Sequence, residues 1–447
     1  MRIAVIGSGI AGLSTAWLLA RRHDVTVFEK ESRLGGHANT VEIDYDGASI
    51  AVDTGFIVLN DRNYPNFERF LGHLGVKTAD SNMSFSVSID DGRLEYEGSI
   101  AGMTAQAGNL IRPRYWHMLA NLTRFYREAR ALLDSEEDGP SLGNWLAERR
   151  YGEGFVHDHL LPMAAAIWSC PIETMMTFPA RSFARFFANH GLLDFTNRPQ
   201  WRTVVGGSRV YVAKIAAALG DRVRLDTPVT SACRIGGGVA VTDADGMVEV
   251  FDEVVLATHG DQARRLLVDA DDEEQAVLNA FTTQPNQAIL HRDARLMPKR
   301  RRTWAAWNYA ANGADPASRQ VAVTYWMNRL QPLDTTRPVF VSLNPLFEPD
   351  PETVFACISY AHPVFDANAI AAQRALPGIQ GRRRVWFCGA WTAWGFHEDG
   401  LRSGVAVARA LGVEPPWSTN VAPADNGAGY HARASEAVNP AALEAAD

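Results

Sequence analysis

The start of the chain alternates apolar runs with glycine. Residues 3–7, IAVIG, are rich in branched side chains and read as a strand buried in a parallel sheet. LSTAWLLARR follows with helical spacing, and VTVFE then reads as a second buried strand. Strand, turn, helix and strand make a βαβ unit and imply an α/β fold. TVEIDYDG and SIAVDTGFIVL alternate as short strands. From Tyr64 to about His190 the pattern predicts mostly helices. NYPNFERFLGHLG is one, with Asn63 as its cap and Gly75 near its end. Others fall at about 115–133, 141–150, 155–168 and 180–190.

The pattern then returns to strands. WRTVVGGSRVYVAKIAAALG reads as strand, glycine turn and helix, VRLDTPVTSACRI as a strand pair, and EVVLAT as a buried strand. Gly236-Gly237-Gly238 separates two strands, so it is a hairpin turn and not a second nucleotide fingerprint. QAILHRD, TWAAWNYA, QVAVTYWM and PVFVSL suggest a second sheet. VWFCGA is one more buried strand, and DGLRSGVAVARAL is the last helix. The expected organisation is two domains. A Rossmann-like domain combines 1–62, 200–270 and 380–414, and a discontinuous α+β substrate domain combines 63–199 and 271–379. The stretch 415–447, rich in Ala, Pro, Asn and Gly, is expected to be a flexible tail.

Composition narrows the function classes. A net charge of −8 gives no general attraction to nucleic acid. The runs Lys299–Arg302 and Arg382–Arg384 are short and read as solvated loops, with contact to an anionic membrane surface as the minority reading. Cys170, Cys233, Cys357 and Cys388 are too scattered for a zinc site or a disulfide framework, which fits a reduced, cytoplasmic compartment. Glycines interrupt the apolar start, so it is not read as a signal peptide, and no apolar run is long enough to cross a bilayer.

The chemistry begins at Gly7-Ser8-Gly9-Ile10-Ala11-Gly12. Gly7 permits the tight turn, Gly9 lets a pyrophosphate approach the backbone, and Gly12 lets helix and strand pack closely. The phosphates would meet the helix start at Ile10 and Ala11, where free N–H groups favour anions. Glu29, at the end of the second strand, can accept hydrogen bonds from ribose hydroxyls, with Lys30 beside it. A second cluster, FCGAWTAWGFHEDGLRSG, spans 387–404. His397, Glu398 and Asp399 are adjacent, so their side chains diverge, which argues against a metal site.

With Arg33-Leu34-Gly35-Gly36 after Glu29, the chain resembles the flavin-containing amine oxidoreductase superfamily of amine oxidases, protoporphyrinogen oxidases and phytoene desaturase-like enzymes. The resemblance implies one noncovalent FAD. Arg33, Gly35 and Gly36 would line its phosphates and flavin, and His37 stands where the family usually has arginine. Val229 would lend its backbone to the adenine. Gly389, Gly400 and Leu401 match the closing motif beneath the flavin, and Glu398 or Asp399 would compensate for an acid the motif usually carries. Trp391 replaces an acid usual in the family, and NQAILHRD lacks the lysine that amine oxidases carry in a comparable strand. The GFHEDGLRSG ending, with LHRD, MP and TWAAWNY, resembles a narrower group of flavoproteins associated with cyclopropane fatty-acyl synthases. That likeness implies a lipid acyl substrate and a functional link to such a synthase. Hydride transfer to flavin is the implied reaction. His397 is the candidate base or positioning group, and Phe396 and Trp394 form an apolar wall. His291 and Tyr309 are read as structural. A small-amine oxidase and a noncatalytic flavoprotein are the alternatives.

Overall fold

The computed structural model describes residues 1–134, 139–168, 172–194, 198–313 and 319–417. Cys170 and the tail beyond Trp417 lie outside the described residues.

A five-stranded parallel sheet carries the two chain ends. Its order is Val223–Arg224, Asp24–Phe28, Arg2–Ile6, Glu253–Leu256 and Val385–Phe387. All of its pairings are parallel, with Ile3 opposite Val25 on one side and Glu253 on the other. The sheet is buried on both faces. Ile3, Val5, Val25 and Val27 pack into one core and Ala4, Ile6, Val254 and Leu256 into another. Near-continuous branched strands are what such a doubly covered sheet requires. The glycine hairpin at 235–238 joins Val229–Ile235 to Gly238–Asp243 in a separate antiparallel sheet, as its turn residues predict.

A seven-stranded sheet forms the second layer. Its order is Val354–Val364, Thr282–His291, Phe340–Leu343, Gln320–Trp326, Trp307–Asn312, Phe85–Ile89 and Leu94–Glu97. Tyr96, Val87 and Tyr309 turn one part of it toward the aromatic helices, where Phe125, Phe155, Phe183 and Phe187 are buried. The helices form near the expected positions, at Pro113–Ala131, Leu142–Glu148, Glu153–Trp168 and Ala180–Asn189, with a π-helical stretch at Val156–Leu160.

Two local expectations are corrected. The stretch from Tyr64 to His190 also holds the strands Thr78–Asp80, Phe85–Ile89 and Leu94–Glu97. Asp90, Asp91 and Gly92 all have positive φ and close a tight hairpin between the last two. The helix Pro65–His73 begins after Tyr64, not Asn63, and no side chain at that boundary caps it. Its first N–H groups are satisfied by a remote carboxylate. Trp201–Val204 forms the expected strand and joins Leu59–Asn60 and Thr78–Asp80 in a small sheet.

Candidate cofactor and active site

The first glycine turn is shaped by close approach. A Cβ on Gly12 would lie 1.9 Å from the Gly7 carbonyl oxygen, and one on Gly7 would lie 2.8 Å from that of Ala257. Gly7 also has φ of 102°, which favours glycine. Gly9 differs, since nothing lies within 4 Å of the same position. Two of the glycines thus serve packing, while Gly9 faces open space. The helix Ile10–Leu19 starts at Gly9 with no side-chain cap, so its leading N–H groups are available to a ligand. Glu29 is buried beside this turn and accepts from the Ser8 N–H at 3.0 Å and the Glu31 N–H at 3.0 Å. Lys30 is exposed and pairs with Glu31.

The paired glycines cross the same turn. The Gly35 N–H donates to the Ser8 carbonyl at 3.0 Å, and a Cβ on Gly36 would sit 3.2 Å from Gly9 Cα. Arg33 folds back to the Gly36 carbonyl at 2.9 Å. His37 begins the next stretch, its carbonyl accepting from the Phe56 N–H. Val229 is half-buried at the start of its strand, next to a register shift.

The far end of the chain docks onto the first helix. The final helix, His397–Ala410, places Gly400 against Ile10 and Gly404 against Ala11 and Thr15. A Cβ at Gly400 would meet Ile10 Cγ2 at 2.8 Å, and one at Gly404 would meet Thr15 Oγ1 at 2.5 Å. The two helix starts are therefore in contact. Leu401 is fully buried in the same core. Gly389 is anchored by its N–H to Ser403 Oγ at 2.9 Å. Trp391 turns inward, its indole donating to the Thr258 carbonyl at 2.8 Å and packing on Phe281, so this replacement serves the core.

The three polar residues after Phe396 each have protein partners. His397 is buried, stacked on Phe56 at 3.8 Å, and its Nε2 lies 2.6 Å from the Tyr211 hydroxyl. Burial pushes its pKa down to about 3, so it is neutral at physiological pH. Glu398 accepts from Asn66 N–H at 3.1 Å, Asn66 Nδ2 at 2.6 Å and Phe67 N–H at 2.8 Å, and it is the remote cap of Pro65–His73. Burial raises its pKa to about 7. Asp399 accepts from the Trp394 and Phe396 N–H groups and pairs with Arg402, closing the turn that leads into the helix. Burial raises its pKa as well. Phe396 stacks on Phe186 at 5.4 Å and lies 5.1 Å from His190, with Trp394 6.0 Å from Phe186. His291 and Tyr309 lie elsewhere in the sheet core, and His291 is satisfied by Ser342 and the Asp293 N–H.

Sequence reasoning passed over Phe56, Tyr211, His259, Tyr360 and His362, which surround His37 and His397. One signal was available for His259. It lies just past the carboxyl end of a buried parallel strand, where open α/β sheets build their sites. The arrangement suits a dinucleotide cofactor, with an open glycine at an uncapped helix start, a buried acid beside it and a second helix tip closing over both.

Comparison with known proteins agrees. The profile of the flavin containing amine oxidoreductase family matches residues 10–412. The protein named "Putative flavin-containing monoamine oxidase AofH" of Mycobacterium tuberculosis is 29% identical over 263 residues, covering 55% of this chain and 54% of that protein. Amine oxidase [flavin-containing] A of Canis lupus familiaris is 28% identical over 260 residues, covering 51% and 44%. The chain thus spans about half the length of the curated relatives it matches. Cyclohexylamine oxidase from Brevibacterium oxydans has the same fold, with a TM-score of 0.67 at 15% identity over 92% of this chain and 99% of the other. A fatty acid isomerase from P. acnes, described as producing CLA, superposes with a TM-score of 0.64 at 16% identity over 91% and 98%. The chain belongs to the flavin-containing amine oxidoreductase family, which binds FAD.

Proposed function

We propose that this oxidoreductase dehydrogenates an apolar substrate, a lipid acyl chain, and that its FAD is held noncovalently. The aromatic wall carries the reading. Trp394 and Phe396, at the entrance to the final helix, face Phe186 and His190 on the helix Ala180–Asn189. A wall of this kind suits a hydrocarbon and keeps water from the reacting carbon. The strand Thr282–His291 contains no lysine, which weighs against amine oxidation. The existence of a fatty acid isomerase with this fold supports an acyl ligand. A functional link to a cyclopropane fatty-acyl synthase, and contact with a membrane surface as the source of the substrate, are part of the same proposal.

FAD, when bound, supplies the hydride acceptor. The chain supplies the rest. Two helix starts provide N–H groups for the cofactor's anionic and polar edges, and Gly36 lets its loop lie against Gly9. Glu29 holds the ribose, a contact of a kind worth roughly 1.5–3 kcal/mol. His397, fixed between Phe56 and Tyr211, acts as a positioning residue for the final helix start, since its Nε2 is already engaged. Val229 contributes backbone groups toward the adenine. The sequence likeness to amine oxidases keeps a small-amine oxidase as the second reading.

Anaerobic mixing of the purified protein with phospholipid acyl chains, then with amines, tests this directly. Bleaching of the flavin absorbance by lipid is the expected result. Bleaching by amines alone would overturn the acyl reading, and bleaching by neither would favour a noncatalytic flavoprotein.

A further inference from the structure

Three imidazoles from distant parts of the chain converge beside the glycine loop. His37 follows the paired glycines, His259 opens the helix Gly260–Leu266, and His362 lies on Val354–Val364, the outermost strand of the seven-stranded sheet. The His37 ring lies 5.9 Å from that of His259 and 5.4 Å from that of His362. Tyr360 stacks on His37 at 4.9 Å and is itself fixed by Asn39 at 3.0 Å and Thr54 at 2.8 Å. The His259 backbone N–H donates to Gln262 Oε1 at 3.3 Å, which fixes the start of its helix. His37 Nε2 is buried and has no hydrogen-bond partner. A buried polar atom is ordinarily satisfied, so an uncommitted ring nitrogen next to a cofactor cradle calls for an explanation.

The surroundings keep the cluster neutral. Burial, then His362 and His259, then His397 and Arg33, hold His37 well below the ordinary histidine range. Burial and His259 push His362 down to about 4. Burial also lowers His259, where Lys30 opposes a proton and Asp261 favours one. Burial raises the Tyr360 hydroxyl, with Asp53 adding to the rise and Arg33 opposing it. His397 cannot serve equally well, because its Nε2 already meets the Tyr211 hydroxyl.

We propose that His37, His259 and His362 form the proton-accepting station of the dehydrogenation, with His37 Nε2 as the accepting atom. The proposal rests on the dehydrogenase reading above. Removing hydrogen from two adjacent carbons breaks two C–H bonds and forms one C=C bond. One hydrogen would depart with its electron pair, and FAD, when bound, would be the oxidant that accepts the pair and its negative charge. The other departs as a proton and forms an N–H bond at His37, while its C–H electron pair becomes the π bond. Negative charge nearby then favours the imidazolium that the cluster otherwise disfavours. His259 and His362 act as positioning residues that tune His37.

Histidine-labelled NMR of the FAD-loaded full chain across pH 4–8 tests the cluster without turnover. His37 should stay neutral well below the ordinary midpoint of about 6.5. His362→Asn should raise the His37 midpoint by removing a neighbour that opposes its charge. An ordinary midpoint, or one unmoved by His362→Asn, would overturn the cluster. His37→Asn should retain FAD and slow anaerobic reduction by an acyl substrate by about 10²–10⁴-fold, with partial rescue by added imidazole. Unchanged reduction, or loss of FAD from this variant, would overturn the assignment of His37 alone. Failure of the wild type to be reduced by any acyl chain, with the NMR midpoints as expected, would instead overturn the dehydrogenase reading and the proton-accepting role with it.

Discussion

Glu398 shows how much of this site is built from contacts far apart in sequence. Its carboxylate closes the start of Pro65–His73 through three hydrogen bonds. Glu398→Ala leaves the buried Phe67 N–H and the part-buried Asn66 N–H without this partner and should cost about 2–4 kcal/mol in urea unfolding. Its pH dependence follows from its pKa of about 7, raised above the unfolded value by burial. The folded state binds the extra proton, so the stability tied to Glu398 is greatest in acid and falls as pH rises from about 4.5 to 7. Glu398→Gln should flatten that part of the pH–stability curve. None of this was legible in the sequence, where Glu398 was only an acid near a helix start. The glycines were legible, because their spacing encodes a turn and two close approaches. The sequence did not reveal that Gly400 and Gly404 receive the first helix, since the partner of a small face depends on tertiary packing.

At the scale of elements, the contact between Ile10–Leu19 and His397–Ala410 is the joint on which the site depends. Gly404→Leu forces a side chain into Thr15 and the Ala11 carbonyl. Overpacking of this kind typically costs about 1–3 kcal/mol. The expected outcome is a lower melting temperature together with weakened FAD retention, both measurable on one purified sample. Strongly periodic helices and buried strands could be read in advance. The hairpin Phe85–Glu97 was missed because it sits within a mostly helical stretch, although its alternation and the Asp-Asp-Gly turn are strand signals. The chain also stays docked as far as Trp417, which packs on Trp17 and Phe70, beyond the point where composition suggested a tail.

The whole molecule carries an acid sensitivity. Burial lowers His159, His190, His291 and His362 to about 4 and His397 to about 3. The unfolded chain binds these protons first, so their contribution to stability is present above about pH 6.5 and is lost as pH falls toward 4. Asp53, raised to about 6, and Glu398 act in the opposite direction. The five histidines outnumber them, so the urea midpoint should drop between pH 7 and 5. Among the described residues no helix is long and apolar enough to cross a membrane. The basic run Arg382–Arg384 is largely engaged by Asp271, Glu273, Glu274 and Glu253 within the fold. The central claim is that both chain ends clasp one FAD where two helix starts meet. Its most direct test is the FAD dissociation constant of the full chain, measured by flavin fluorescence for the wild type, Glu29→Ala and Gly400→Val. The account predicts tight one-to-one binding that weakens at least about tenfold in each variant. A wild type without affinity for FAD, or two variants that bind as tightly as the wild type, would contradict it.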